Sequence, residues 1–175
     1  MKKLCLGLLL LGLLWSCKGE EKGCTFTEFP AVFPEELSLI KNYQYESFEG
    51  GSSENFELDG LLRYPIKVRF LQKGCKDLVQ ELHFEIDDSQ EPIPADLPPS
   101  ACARLLAGIF LQLGQSHPQL SMLGNYAELL GRRAPNFEYN QPLLLQDGFT
   151  AQIDKLTSKS YTVISLTLRQ TNEEE

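Results

Sequence analysis

An α+β fold, a mainly antiparallel sheet built from two hairpins with two central helices packed on one face, is predicted by three observations. Residues 62–86 carry two runs of apolar alternation about a glycine-containing reversal, and residues 149–170 carry a second such pair. Between them, residues 100–131 place apolar side chains at helical spacing. Strands, then helices, then strands give helices layered against an antiparallel sheet.

The first hairpin is the strongest signal. Leu62, Tyr64, Ile66, Val68 and Phe70 alternate with Arg63, Pro65, Lys67 and Arg69, and Leu78, Leu82, Phe84 and Ile86 alternate with Val79, Glu81, His83 and Glu85. A reversal at Lys73-Gly74-Cys75 sets Phe70 against Leu78 and Ile66 against Leu82. The same register sets Lys67 opposite Glu81 and Arg63 opposite Glu85, favourable by about 0.2–1 kcal/mol per pair. Pro65 forfeits a ladder bond, which predicts an edge strand or a local bulge.

Upstream of it, Thr25–Phe29 is read as a strand, and Pro34 followed by Glu35 and Glu36 as the start of a short helix through Lys41. Gly-Gly-Ser-Ser-Glu-Asn at 50–55 reads as a loop. Downstream, residues 87–99 are acidic and proline-rich, a solvated crossover. Asp87, Asp88, Glu91 and Asp96 are hard oxygen ligands, but their spacing lacks the alternation and closing Glu of a calcium loop. Ser100 is the expected cap of a helix to Gln115, with Cys102, Leu105, Leu106, Ile109 and Leu113 on its buried stripe. A second helix runs from Pro118 through Leu120, Leu123, Tyr126, Ala127 and Leu130 to a stop at Gly131. An irregular stretch with Pro135 and Pro142 follows. The last hairpin, Phe149 to Gln170, is expected to turn at Ser158-Lys159 and to pair Ile153 with Ile164.

The chain opens with Met1-Lys2-Lys3, an apolar run from Leu4 to Trp15, then Ser16-Cys17 and the polar stretch 18–23. A run of about twelve apolar residues is too short to span a bilayer, which takes roughly twenty. A positive flank, a short apolar centre and a small residue before the break match a secretory leader. On the residues alone, Cys17 could be an ordinary thiol after such a leader. The ending Leu14-Trp15-Ser16-Cys17 resembles the lipobox of bacterial lipoproteins with a type II signal peptide, with Trp15 as its one departure. That resemblance implies cleavage after Ser16 and a lipidated Cys17 as the membrane anchor. Two or three acyl chains, as lipoproteins of this class carry, hold firmly because each buried methylene contributes about 0.8 kcal/mol. Lys18 in the second mature position favours the bacterial outer membrane. With Glu20-Glu21 it also resembles the surface-export signals of Bacteroidetes-type envelope lipoproteins, interrupted by Gly19. The chain is then surface-exposed or faces the periplasm.

The expected organisation is a signal peptide at 1–16, a lipidated cysteine and tether at 17–23, one globular α+β domain at 24–171 and an acidic tail at 172–175. Loss of the leader takes Lys2 and Lys3 from the 16 basic residues, leaving 14 against 24 acidic ones and a formal charge of −10. Such a balance disfavours a nucleic-acid partner, whose affinity rests on Lys and Arg. Export places the thiols where disulfides persist. With Cys5 removed, Cys17 acylated and Cys102 on a buried stripe, Cys24 and Cys75 are the pair a disulfide would join. Closing that loop would contribute about 4 kcal/mol in the chain-entropy model. Connectivity is not fixed by sequence, and a reactive Cys75 beside Lys73 and Lys76 is the alternative.

No catalytic, cofactor-binding or metal-ligating residue is assigned. His83 is expected on the polar face of its strand and His117 before Pro118 at a helix start, far apart in sequence. There is no phosphate loop, CxxC or GxSxG. Three functions stay open for the domain. The first is a non-enzymatic binding or assembly module for a protein or glycan at the envelope. The second is an inhibitor or immunity protein against a basic toxin or cell-wall hydrolase, and the third an enzyme without a recognisable motif. An acid-driven inhibitor would lose its cationic partner as salt rises, whereas an enzyme needs a cleft where titratable groups converge.

Overall fold

The computed structural model describes residues 28–62, 66–89 and 92–171. The leader, Cys17, the tether, Cys24, Thr25–Thr27, Arg63–Pro65, Glu91 and the acidic tail lie outside the described residues. Seven antiparallel strands and two helices make the chain α+β with a dominant sheet. The strands are β1 (Ile40–Phe48), β2 (Gly51–Leu58), β3 (Ile66–Gly74), β4 (Leu78–Asp87), β5 (Leu143–Gln146), β6 (Phe149–Thr157) and β7 (Tyr161–Gln170). The helices are α1 (Pro99–Ser116) and α2 (Ser121–Arg133). Sheet order is β1-β2-β3-β4-β7-β6-β5. The two expected hairpins are thus four strands of a larger sheet, and the β1–β2 pair and β5 were not foreseen.

Alternation decides which side of the sheet is dry. Through the middle of β3, β4 and β7 the even-numbered residues are buried, and through the first half of β6 the odd-numbered ones, while their neighbours are half-buried or exposed; β2 follows the same alternation from Glu54 on, after a start in which Gly51, Ser52 and Ser53 are all buried. The buried set joins the apolar stripes of both helices in one cluster. Phe110 of α1 lies 6.2 Å from Phe84, and Tyr126 of α2 stacks on Phe149 at 5.3 Å. Burying a Leu, Ile or Phe side chain contributes about 1.5–3 kcal/mol.

The β3–β4 turn falls later than expected. Gly74 pairs with Leu78, and Cys75-Lys76-Asp77 form the reversal, so Phe70 faces Leu82, Ile66 faces Ile86 and Lys67 faces Glu85. A side chain at position 74 would meet Asp77 O at 2.2 Å, so the glycine is needed where the loop folds back onto the strand end. Both registers preserve the buried side and put a lysine opposite a glutamate, so neither pattern could separate them. In the last hairpin the turn moves by one residue to Lys159-Ser160, and Ile153 faces Leu166 rather than Ile164. β3 lies inside the sheet between β2 and β4, not at an edge, and its range starts at Ile66; Pro65 lies outside the described residues.

Local readings change where tertiary contacts win. The Pro34–Lys41 stretch is two successive tight turns, Leu37 N to Pro34 O at 3.1 Å and Ile40 N to Leu37 O at 2.8 Å, rather than a helix. Ser100 lies inside the first turn of α1, whose N-cap is Pro98 without a side-chain cap. The next element does start at Pro118, but as a 3-10 turn over Pro118–Leu120 that leads into α2 at Ser121; His117 is its N-cap, with Nδ1 accepting from Gln119 N at 3.2 Å. Gly131 is passed over, and α2 ends at Arg133 in a 3-10 turn over Ala134–Asn136.

Phe29, expected to end a strand, belongs to an extended strap. Residues 29–33 pair with no strand, so their polar backbone groups must find side chains. Tyr45 OH donates to Phe29 O at 2.8 Å and Gln72 Nε2 to Pro30 O at 3.2 Å. Gln119 Nε2 donates to Val32 O at 3.1 Å. Val32 N and Phe33 N donate to the two carboxylate oxygens of Glu54 at 2.8 and 2.9 Å. Phe33 then inserts its ring 4.6 Å from Phe56 and 5.4 Å from Phe70. The crossover after β4 is tied in a comparable way: Asp88 accepts from Thr162 Oγ1 at 2.8 Å and from Ile93 N at 3.2 Å. Lys155 Nζ donates to Pro94 O and Ala95 O at 3.2 and 2.8 Å.

Two glycines of α1 should respond oppositely to alanine. A Cβ at Gly114 would stand 2.9 Å from Gly124 N on α2, forcing the helices apart, so Gly114→Ala should cost about 1–3 kcal/mol. A Cβ at Gly108 meets nothing within 4 Å, and Gly108→Ala should gain about 0.5–1 kcal/mol of helix propensity. Urea unfolding of both variants checks the pair; equal effects would contradict the close helix contact.

Candidate functional site

Two places hold polar groups in unusual settings. The first is Glu54, a carboxylate with 0% exposure on the buried side of β2. Its neighbours on that side are Ser52 and Phe56, and Tyr45 and Phe70 are its partners across the ladders. Tyr43 OH donates to Oε2 at 2.9 Å, a third hydrogen bond beside those from Val32 N and Phe33 N. A β-bulge between Lys41 and Gln44, with Asn42 at φ 55, swings Tyr43 toward it. Burial raises the Glu54 carboxyl above its usual range, while the three donors pull it back. Next to it, Gln72 Nε2 lies 3.5 Å from Ser52 Oγ, Gln80 Nε2 donates to Gln72 Oε1 at 3.3 Å, and Tyr126 OH donates to Gln80 Oε1 at 3.4 Å. With every donor matched, this network is structural: it fastens the strap and α2 to the sheet.

The second place is the polar side of the sheet. Register lines up Glu57, Lys67, Glu85 and Val163 in one row across β2, β3, β4 and β7. Asn55, Arg69, His83 and Ser165 form the next row, with Asp154 of β6 beyond. Lys67 Nζ lies 3.1 Å from Glu85 Oε1, and Lys73 Nζ 2.6 Å from Glu81 Oε1. Exposed pairs of this kind contribute about 0–1 kcal/mol each. Arg69 and Glu57 make no hydrogen bond or ion pair among the described residues. Between the rows and β1 sits a shallow depression of about 450 Å³, with Asn42, Gln44, Asn55, Glu57, Arg69 and His83 on its walls. A second, of about 410 Å³, shares Glu57, Lys67 and Glu85 and ends at Tyr161.

The sequence matches no family model, no curated protein and no solved structure.

His83 lies on the polar side as expected, but it is half-buried where an exposed position among Glu81 and Glu85 was expected, and its partner comes from 82 residues away: Nδ1 lies 2.8 Å from Ser165 Oγ. Nε2 stands 4.0 Å from Glu81 Oε2. A hydroxyl within reach of an imidazole meets the first requirement of an activated nucleophile. Both residues lie inside a paired sheet, however, where backbone N–H groups are committed to the ladders and supply no oxyanion site. His117 serves its own turn. Among the described residues no three His, Cys, Asp or Glu side chains gather to hold a metal. Asp87 accepts from Ser89 N at 3.1 Å and Asp88 is buried on Thr162, so both are occupied by their own chain.

Cys75 lies half-buried in the β3–β4 turn and is disulfide-bonded; Cys24, its expected partner, lies outside the described residues. Cys102 is a free, fully buried thiol, 3.1 Å from Tyr139 OH. Burial, then the contact with Cys102, raises the Tyr139 phenol above its ordinary value. No described helix is long and apolar enough to cross a membrane.

Sequence reasoning missed Glu54 and Arg69. The first sits in a segment whose Gly-Gly-Ser-Ser composition speaks for a loop; the signal that was available is the alternation of Ser52, Glu54, Phe56 and Leu58, legible once a buried glutamate is admitted. Arg69 stands out only when its neighbours across the sheet are known.

Glu54 gives the fold a pH dependence of definite sign. Because burial raises its folded-state value, the native state binds more protons than the unfolded chain between the two values. Its contribution is therefore fully present below the unfolded value and is lost as pH rises through the folded one. Glu54→Gln should abolish that slope. It should also cost about 1–3 kcal/mol, because an amide NH2 would face a backbone N–H. Urea unfolding between about pH 4 and 8 measures both effects, and a difference from wild type that stays constant across the range would refute the shift.

Proposed function

We propose that the chain is a bacterial outer-membrane lipoprotein, lipid-anchored through Cys17, whose domain is a non-enzymatic binding or assembly module. In this reading the two helices cover the dry side of the sheet and the polar side meets a protein or glycan of the envelope. The observation that carries it is the pair of joined, shallow depressions on the polar side, with Arg69 and Glu57 making no hydrogen bond or ion pair among the described residues. Shallow polar ground of mixed charge suits reversible contact, where an enzyme would need groups converging in a cleft. The strap supports the same reading. Its Val32 and Phe33 lie on the dry side, beside Phe70 and Tyr126, away from both depressions. We further propose Cys24 as the disulfide partner of Cys75, which would pin the tether to the β3–β4 turn.

The anchor is tested by acyl labelling. Cys17→Ser should lose both the label and retention in the membrane fraction; labelling that persists would defeat the assignment. Non-reducing peptide mapping of the same material should recover Cys24 joined to Cys75.

The binding reading is tested by capture from native envelopes, with wild type compared against the Arg69→Glu variant. Loss of a reproducible partner in the variant is expected. Equal recovery by both would remove the polar side from the proposal, and release of a basic protein by rising salt would favour the inhibitor reading instead.

A further inference from the structure

We infer that the polar side of the sheet binds a neutral, polyhydroxylated ligand, a short stretch of glycan lying from β1 across to the start of β7. This rests on the reading of that side as the binding surface and names the chemistry it accepts.

Charge comes first. The two depressions share Lys67, Glu57 and Glu85; Arg69 brings the first to two cations against two carboxylates, while Asp87 leaves the second with one cation against three carboxylates. An anionic ligand would be repelled at the second, and a cationic one would meet no net attraction at the first. Lys67 and Glu85 satisfy each other, whereas Arg69 and Glu57 stand one diagonal step apart with no partner among the described residues. One offers only donors and the other, when ionised, only acceptors. A ligand that satisfies both at once must donate and accept from neighbouring atoms, as two adjacent sugar hydroxyls do.

The remaining walls repeat that requirement. Asn42, Gln44 and Asn55 each present an amide with a donor and an acceptor edge. The bulge at Asn42 creates this wall: shifting the register of β1 sends Tyr43 to Glu54 and leaves Asn42 and Gln44 beside the depression. His83 has one ring nitrogen held by Ser165 and its other 4.0 Å from Glu81, beyond hydrogen-bond reach. At the far end Tyr161, 37% exposed, offers a ring face to the apolar side of a sugar ring. Two depressions joined through three shared residues make a groove longer than one ring needs, which fits a trisaccharide better than a monosaccharide.

The test is a titration of the full-length chain, in a detergent without a sugar headgroup, with maltotriose, cellotriose, chitotriose and xylotriose, and with sialyllactose as an anionic control. Saturation-transfer NMR and calorimetry read the binding. At least one neutral trisaccharide should bind with a Kd of about 1 mM or tighter, and Arg69→Ala and Glu57→Ala should each weaken it roughly tenfold. Leu144→Ala on the remote β5 edge should leave it unchanged, and unaltered thermal unfolding of all three variants secures their fold. Failure of all four neutral sugars, binding indifferent to both substitutions, or preference for sialyllactose would each overturn the inference. Should no sugar bind while Arg69→Ala and Glu57→Ala still abolish capture of an envelope protein, the glycan inference falls and the binding surface stands. If neither sugar nor protein depends on these residues, both fall.

Discussion

Three donors from two parts of the chain converge on the Glu54 carboxylate, and the remainder of the N-terminal half is arranged around that meeting. Two backbone N–H groups of the strap and one phenol from β1 require an acceptor-only group, because an amide would turn a donor toward one of them. A glutamate on the dry side of a sheet is costly to bury, and only its full complement of hydrogen bonds makes it tolerable. Once that complement is met, Phe33 is delivered to the core between Phe56 and Phe70 without any strand pairing. The strap is therefore held by side chains, an arrangement that fixes where the chain enters the domain while leaving β1 as the sheet edge.

The bulge in β1 connects this interior constraint to the outer surface. With an unbroken ladder, the residues of β1 would keep one parity, and the tyrosine that reaches Glu54 would point the other way. An extra residue at Asn42, in a left-handed conformation that asparagine tolerates, reverses the parity partway along the strand. Ile40 can then face Leu58 in the core while Tyr45, five residues on, also faces the dry side opposite Glu54. The same insertion leaves the Asn42 and Gln44 amides on the wall of the polar depression. One irregularity thus sets both the buried network and the character of the exposed groove.

How far the sequence discloses this follows from which interactions are local. Alternation in β3, β4, β6 and β7 depends only on side-chain period, so the faces of all four strands could be read correctly. Their exact registers could not, because shifting a pairing by an even number of residues preserves the faces, and in the first hairpin the four-residue difference between the expected and observed registers again sets Lys67 opposite a glutamate. The turn is settled by the lack of room for a side chain at Gly74, a contact with Asp77 O visible only in three dimensions. β2 was read as a loop because glycine, serine and asparagine usually mark one, and the buried role of its glutamate depends on donors 11, 21 and 22 residues away. The helix expected from Pro34 to Lys41 lost to the strap for the same reason: turns that seat Phe33 and Leu37 in the core outweigh the propensity of a proline and two glutamates at a helix start.

The polar side does not share the acidity of the chain as a whole. Lys67, Arg69, Lys73 and Arg169 stand against Glu57, Glu81, Glu85, Asp87 and Asp154 on alternate positions of the same strands. So near a balance has little field beyond a Debye length of about 8 Å, and the proposed recognition would operate at contact distance rather than by steering. Contact-range recognition over shallow ground is weak for a freely diffusing protein. For one held to a membrane by lipid, as proposed, the tether would confine the domain near whatever shares that membrane, and a weak site then fills through effective concentration alone. A nearly balanced, hydrogen-bonding surface and the proposed lipid anchor would in that sense be complementary: the anchor would supply the encounter, and the paired donors and acceptors the selectivity.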